Sequence, residues 1–460
     1  MKIPLHLFNT LSRTKENFLP LKKVVTLYNC GPTVYHDQHI GNFRTAMSVD
    51  LLKRTLLLFG YSVKHITNIT DVGHLTNDAE DTGEDKVQLG ARREGLTAKQ
   101  VARKYEKLYK EDVASLGVIS PSKWTRATEH IAAQIDLIKK LERGGYTYRT
   151  ADGIYFDSSK DENYGKLAGL KSVKIQAGIR VDLGEKKNPS DFALWKFAAK
   201  GVDRQMEWKS PWGVGFPGWH IECSAMAMKY LGETIDIHAG GIDLIPVHHT
   251  NEIAQAECAT HKQFVRFWMH SAFVIEGEEK MSKSKGNVKT MTWIRENGFS
   301  PLDYRYLTLQ THYRKELSVT IDSLTAAKTA FAQIRNFVID APRGGKIIAD
   351  KYVKFTESLS DDLNAPRALA TLWEVLGSGA SDADKRATII KFDDALGLGL
   401  AKAKRAKVVI PTTVKKLMTA REKARKNKDW TASDTLRDEI RVLGFEIKDT
   451  PQGQTIEPVL

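Results

Sequence analysis

Near the start of the chain the residues KVVTLYNC (23–30) form an unbroken, mostly apolar run that stops at the turn signal Gly31-Pro32, which predicts a short buried strand. A helix-like pattern follows from His39 to Leu58. After Gly60 the stretch YSVKHITNIT (61–70) predicts a second strand. Strand, helix and strand in that order imply parallel pairing in a nucleotide-binding α/β domain. Another helix is expected over 99–116. From 119 to 209 the pattern loosens into glycines and charges around a short IYF run near Ile154, and this stretch is read as an insertion. The α/β pattern resumes with a helix over 220–230, the apolar strand TIDIHA, and a helix through HHTNEIAQAECA. Past Leu324, TAAKTAFAQIRNFVI, APRALATLWEVL and ATIIKFDDALGL each carry apolar residues at three- and four-residue spacing, the pattern of a helical bundle. A last unit from Val414 closes with GFEIKDTPQGQTI, a small strand or hairpin after a helix.

With 460 residues, 42% apolar and 27% charged, the chain is long enough for several domains and has the balance of a folded, water-soluble protein. The net charge is +13, and it is unevenly spread: between Lys402 and Asp429 there are eleven Lys or Arg against two acids. Such a stretch fits a surface that meets nucleic-acid phosphates, and it equally fits a solvated lysine-rich linker. Three scattered cysteines, Cys30, Cys223 and Cys258, exclude a disulfide framework and suit a reducing compartment. The first residues, MKIPLHLFNTLSRTKENF, lack the apolar core of a secretory signal, and no run approaches the roughly 20 apolar residues of a membrane span. A cytoplasmic protein with no membrane partner is expected.

Two stretches can handle phosphate. In CGPTVYHDQHIGNFR (30–44), small and polar residues sit at a strand-to-helix turn, where backbone N–H groups and the helix dipole favour anions. Gly41 leaves room for a flat adenine, and His39 and Asn42 can donate to phosphate oxygens. Far downstream, KMSKSKGN (280–287) places three lysines, Lys280 and Lys283 among them, in a turn-like loop that suits the charge growing on a leaving pyrophosphate. Either stretch alone is a weak signal. Together, about 240 residues apart around an interrupted α/β domain, they resemble the His-Ile-Gly-His and Lys-Met-Ser-Lys-Ser signature of class I aminoacyl-tRNA synthetases, with Asn42 replacing the final histidine.

A possible metal set accompanies them. Cys30 lies at a strand end, Cys223 in GWHIECSAM, and His248 and Glu252 are four apart in HHTNE, which on a helix puts them on one face. Two thiolates, an imidazole and a carboxylate suit zinc. Spacing alone leaves open that the cysteines are small buried hydrophobes and the His–Glu pair a solvated one. Around these residues NCGPTVY, NITDVGH, GWHIECSAM, HHTNEIAQ and KMSKSKGN, then DDLNAPRALA, ARKNKDW and DTPQG, resemble the motifs of the cysteinyl-tRNA synthetase family, in order and over nearly the whole chain.

The resemblance implies one zinc ion per chain on Cys30, Cys223, His248 and Glu252, taking the substrate thiolate as an added ligand. It implies ATP, with Mg2+, at Thr33, His39, Gly41, Asn42, Lys280 and Lys283, of which His39, Asn42, Lys280 and Lys283 serve catalysis. Thr70, Trp219 and Asp243 are expected at the substrate, although each also has an ordinary structural use as a cap or core residue. The expected partners are ATP, L-cysteine and tRNA(Cys), and the expected state is a monomer. The fold class expected is α/β: a Rossmann-type parallel-sheet catalytic domain split into 1–118 and 210–275 by a connective insertion at 119–209. A lysine-loop and stem-contact region at 276–323, a helical bundle at 324–401 and a basic anticodon-binding region at 402–460 complete it. Two other readings use the same residues. A cysteine ligase of the mycothiol-synthesis type resembles the catalytic half but is shorter and lacks the basic tail. A catalytically silent tRNA-binding homologue would carry Asn42 as the mark of a degraded site.

Overall fold

In the computed structural model the strand Val24–Asn29 pairs in parallel with Ser62–Ile69, Val24 opposite Ser62 and Asn29 opposite Thr67. On its other side it pairs in parallel with Ile235–Gly241, which in turn pairs with Val265–Ser271. Lys123–Arg126 completes a five-stranded parallel sheet beyond Ser62–Ile69. Counted along the chain the spatial order is 5-4-1-2-3, so the direction of winding reverses between Val24–Asn29 and Ile235–Gly241. That reversal opens a crevice at the carboxyl ends of the two strands, where ligands of doubly wound sheets bind. The central strands are buried along most of their length, the expected state for a parallel sheet covered on both faces. Helix Ile40–Leu58 covers one face, sending Phe43, Met47 and Leu51 into a core shared with Leu27, Ile237 and Phe267.

The structure describes residues 3–72, 75–77, 82–169, 185–198, 204–276, 279–280, 289–405, 411–450 and 453–458. They divide into two compact units, Met1–Lys402 and Ala403–Leu460.

The expected α/β class is observed, with two shifts in where the insertion falls. Lys123–Arg126, inside the stretch read as insertion, is the edge strand of the parallel sheet. Its four residues, KWTR, bury only one position fully and leave no apolar run to read. The inserted sheet is antiparallel, ordered Trp208–Ser210, Gly213–Pro217, Phe192–Phe197, Gly153–Phe156, Thr147–Arg149, and so extends past residue 209. Its core of Phe156, Phe192, Leu194 and Trp195 packs with Ile221 and Ala225 of helix Trp219–Leu231, which returns the chain to the parallel sheet.

The bundle comprises Ile321–Asp340, Ala349–Ser360, Ala365–Leu376 and Asp382–Leu396. Its first helix starts at Ile321 behind a capping box on Thr320 and buries Leu324, Ala327, Phe331, Ile334 and Val338, the three- and four-residue spacing seen in the sequence. A buried ion pair ties helix Ile40–Leu58 to this half of the unit. Asp50 Oδ2 accepts from Arg305 Nη2 at 2.5 Å and from Arg54 Nε at 2.7 Å, and Asp50 Oδ1 accepts from the backbone of Ile119 at 2.8 Å. Arg305 donates further to the carbonyls of Leu396 and Leu116. Burial opposes charge on Asp50, yet the two guanidinium groups hold its pKa below the ordinary carboxylate value.

The second unit is two helices, Thr412–Lys426 and Trp430–Val442, and the hairpin Phe445–Thr450 with Gly453–Pro458. Its core is small, centred on Val414, Ile440 and Ile447, and is supplemented by Arg421, whose guanidinium grips both oxygens of Asp449 at 2.9 and 3.0 Å. Among the described residues no helix is long and apolar enough to cross a membrane.

Candidate active site

The crevice at the switch point is a cavity of about 370 Å3. One wall is the turn after Val24–Asn29. Gly31 donates its backbone N–H to Asn68 Oδ1 at 2.7 Å, and a Cβ at residue 31 would lie 1.8 Å from the Asn68 carbonyl oxygen, so this close approach requires glycine. Thr33 continues the wall through a bridge to Thr70. Of the residues expected to bind ATP or substrate, Thr33, His39, Gly41, Asn42, Thr70, Trp219 and Asp243 all line this one cavity. Lys280 lies in the two-residue strand Glu279–Lys280, which pairs with Val274–Glu276. Lys283 lies outside the described residues.

Lys289 and Thr290, which follow the lysine-rich motif in sequence, reach the first motif. Helix Ile40–Leu58 begins with His39 as its extended N-cap residue, and the first helical N–H, that of Ile40, donates to the carbonyl of Lys289 at 2.9 Å. His39 bridges Thr290 in antiparallel fashion. The chain that leaves the lysine-rich loop is thereby clasped to the start of the first motif. The first N–H of the helix is thus committed to protein. A Cβ at Gly41 would sit 2.9 Å from the His39 ring, so a larger residue there would displace that side chain.

Cys30, Cys223, His248 and Glu252 converge at one end of the cavity, with one donor atom from each inside a 4.8 Å cluster. Cys30 Sγ is 3.8 Å from Cys223 Sγ and 3.7 Å from Glu252 Oε1, and His248 Nε2 is 3.1 Å from the same Oε1. Zinc bonds of about 2.0–2.3 Å directed to tetrahedral corners would separate donors by roughly 3.3–3.8 Å, so the set fits such an ion with little adjustment. Charge points the same way. Burial penalises the Glu252 carboxylate, yet His238 and His248 hold its pKa at about 2. Burial disfavours a charged His248, but Glu252 and Cys223 bring it up to about 10. Burial raises Cys223, and the hydrogen bond with Cys30 together with the neighbouring His248 outweighs it to leave the thiol at about 7, while burial and the neighbouring Cys223 push Cys30 well up. Glu252 is thus the anion of the set and His248 its counter-charge, a positive charge that a metal ion would take over from the His248 proton.

His248 and Glu252 reach the cluster by a route the sequence did not predict. Ile245–His249 is a turn of π-helix, and the α-helix proper is Thr250–Thr260. Such turns recur at functional sites. Here the wider turn brings both His248 and His249 to Glu252. His249 is one of four histidines that the sequence reading missed. His238 Nε2 hydrogen-bonds the second Glu252 oxygen at 2.9 Å, and His220 Nδ1 pairs with His248 Nδ1 at 3.0 Å. His249 Nδ1 pairs with His270 Nε2 at 2.8 Å, and His270 Nδ1 pairs with Thr10 Oγ1 at 2.8 Å. They pack around the candidate metal ligands, the position from which outer partners orient such groups. Cys30, His238, His249 and Glu252 make a second, overlapping set of donors. Only in the first set do three members, Cys30, Cys223 and His248, also line the cavity, so only there does an ion have room for a ligand from the cavity. The available signal was a histidine near the carboxyl end of an otherwise apolar strand, as in TIDIHAGG and FWMHS.

The Trp219 ring lies against His248 with centroids 4.2 Å apart, and the Lys86 ammonium sits 5.9 Å from the Trp219 ring centre. Thr70 and Asn68 close the floor: Thr70 Oγ1 donates to the buried Glu222 Oε2 at 3.0 Å and accepts from Asn68 Nδ2 at 3.1 Å. Cys258 is buried beside Tyr146, where burial pushes its thiol up to about 12, and it packs as core.

A doubly wound parallel sheet with a cavity at its switch point, the first phosphate motif lining that cavity, is the arrangement of a class I tRNA synthetase core. Residues 18–329 match the family model described as the tRNA synthetases class I (C) catalytic domain, and residues 409–456 match that of the cysteinyl-tRNA ligase anticodon binding domain. Within that class the chain belongs to the cysteine–tRNA ligase family: it is 49% identical to cysteine–tRNA ligase 1 of Burkholderia lata over 99% of this chain and 97% of that one. Its identity to the cysteine–tRNA ligase of Treponema denticola is 38%, over 98% of each. Among solved structures, Mycobacterium tuberculosis methionyl-tRNA synthetase in complex with methionyl-adenylate shares the fold, with a TM-score of 0.56 at 14% identity over 83% of this chain and 90% of that one.

Proposed function

We propose that this chain is an ATP-dependent cysteine–tRNA ligase that makes cysteinyl-adenylate and transfers the cysteinyl group to the 3′ end of tRNA(Cys). The observation that carries this reading is the convergence of Cys30, Cys223, His248 and Glu252 on the cavity that also holds His39, Asn42 and Thr70. These four residues would hold one zinc ion, which supplies a soft site that binds a thiolate far better than a serine hydroxyl. A hydrogen-bonding pocket alone separates such similar side chains poorly.

In the first step the substrate carboxylate attacks the α-phosphorus of ATP, the bond to the bridging oxygen breaks, and pyrophosphate leaves. In the second, a terminal ribose hydroxyl of the tRNA attacks the adenylate carbonyl, loses its proton, and AMP departs. No residue of the chain becomes acylated. Its part is to position the reactants and to stabilise charge: His39 and Asn42 face the phosphates, Gly41 admits the adenine, and Thr33 lines the ATP side. Lys280 and Lys283 neutralise the departing pyrophosphate together with Mg2+. Thr70, Trp219 and Asp243 hold the amino acid and the ribose. The basic unit 403–460 binds the anticodon end of the tRNA, and the protein acts as a cytoplasmic monomer.

The test is cysteine-dependent exchange between pyrophosphate and ATP, followed by charging of tRNA(Cys) against an amino-sugar acceptor. Exchange with cysteine but not serine, and acylation of tRNA alone, is the expected outcome. Absence of exchange in zinc-loaded protein overturns the proposal.

A further inference from the structure

Three residues after Gly41, helix Ile40–Leu58 sends Arg44 into the interior, where it is 1% exposed. Its guanidinium donates to four main-chain carbonyls: Nη1 to Ala272 at 3.0 Å and to Phe273, and Nη2 to His312 at 3.4 Å and to Lys315. A guanidinium only donates and a carbonyl only accepts, so the direction of these bonds is fixed whatever the protonation of neighbouring groups. Burial lowers the Arg44 pKa to about 10, and the group stays charged at neutral pH.

The two pairs of carbonyls belong to segments that are already bonded to each other. Ala272 donates its N–H to the Tyr313 carbonyl at 2.9 Å, and Leu317 donates its N–H to the Phe273 carbonyl at 3.0 Å. The second segment is anchored in turn on buried Asp362, whose Oδ1 accepts from the Tyr313 hydroxyl at 2.7 Å and whose Oδ2 accepts from Arg314 Nε at 2.7 Å. Arg44 is therefore not needed to shape this layer; what it adds is a tie from the layer to the helix. Thr45 Oγ1 also pairs with Ser271 Oγ at 2.8 Å, one residue short of the carbonyls that Arg44 holds. Ala272, Phe273 and Val274 line the cavity, and so do Gly41 and Ala46 on the helix. Contact between a flat ring and such small apolar walls is dispersion, of which a gap of roughly 0.5–1 Å already forfeits a quarter to a half.

We infer that Arg44 is a positioning residue: it fixes the wall Ala272–Val274 at a set distance from Gly41, so that the adenine is gripped between them. This rests on the ATP-dependent reading above, in which Gly41 admits the adenine. Arg44 touches no substrate; it acts through the main chain of residues 272 and 273.

The experiment separates the base from the rest of the substrates. Pyrophosphate exchange gives KM for ATP, for cysteine and for pyrophosphate, and competition with ATP gives the inhibition constant of adenosine, which has the base and ribose but no phosphate. Arg44→Met is expected to raise KM for ATP about tenfold and the inhibition constant of adenosine by the same factor, the scale of one weakened contact set. KM for cysteine and KM for pyrophosphate stay at their wild-type values. A general loosening of the site would move all four together, and that result overturns the inference, as does an unchanged inhibition constant for adenosine. Should Arg44→Met fail to fold, Arg44→Lys, which keeps the charge but cannot fork to both pairs of carbonyls, is subject to the same criterion. Wild-type protein that shows no exchange with cysteine defeats the underlying reading instead.

Discussion

Two of the buried charged clusters in the first unit, around Asp50 and around Glu252, are built on opposite plans. Around Asp50 every charge is answered within the protein. Arg305 and Arg54 supply the cations, and Ile119 and the carbonyls of Leu116 and Leu396 take up the remaining donors and acceptors. Around Glu252 the donors point inward at one another, two sulfurs, an imidazole and a carboxylate, on the wall of a cavity. A closed cluster fixes the fold, whereas an open one asks for something to be bound. Burial of charge is therefore no sign of function by itself; what distinguishes the two is whether the donors converge on space.

Substitutions can sharpen that contrast. The largest effect is expected from Asp50→Ala, which strands Arg305 in the interior and should cost about 3–5 kcal/mol in urea denaturation while the folded fraction keeps its KM values. An unchanged midpoint would place Asp50 outside the stability of the fold. Next, Cys223→Ser should remove bound zinc and lower cysteine-dependent exchange by more than about a hundredfold, beyond the usual loss of an outer partner, with the urea midpoint shifting far less than for Asp50→Ala. Bound metal measured by atomic absorption checks it, and retention of full zinc would break the comparison. His238→Gln removes only the support of Glu252 and should weaken zinc about tenfold in a chelator competition.

The smallest effect is a pH dependence. Because the folded pKa of Asp50 lies below its unfolded value, its contribution is complete above the ordinary carboxylate pKa of about 3.9 and is lost as pH falls toward the folded one. The difference in Tm between wild type and Asp50→Asn should thus narrow as pH is lowered below about 4. A gap that widened in acid would contradict the depressed pKa.

Much of this was legible beforehand, for physical reasons that differ by element. The strand at 24–29 was readable as a mostly apolar run, and the one at 62–69 through β-branched Val63, Ile66, Thr67 and Ile69 after the Gly60 turn signal. The bundle helix at 321–340 declared itself through one buried stripe. Lys123–Arg126 did not, since an edge strand of four largely polar residues has no period to detect. At the site, Cys30, Cys223, His248 and Glu252 were found through the resemblance, not through spacing. Of the supporting histidines only the strand-end positions of His238 and His270 gave a signal, because His220, His238 and His270 come from three elements that only the tertiary fold brings together. The π-helical turn was equally hidden, because a helix-like pattern does not reveal where one turn widens.

The interruption of the parallel sheet also sets a schedule. Cys30 precedes Cys223 by 193 residues, so at a synthesis rate of roughly 5–20 residues per second the first thiol waits about 10–40 s for the second. During that interval Val24–Asn29 has Ser62–Ile69 beside it but not Ile235–Gly241, and one side of the strand that becomes the middle of the sheet is an open edge. The pace of the ribosome, more than the strength of any bond in the finished site, governs how long that edge stands exposed to the wrong partner.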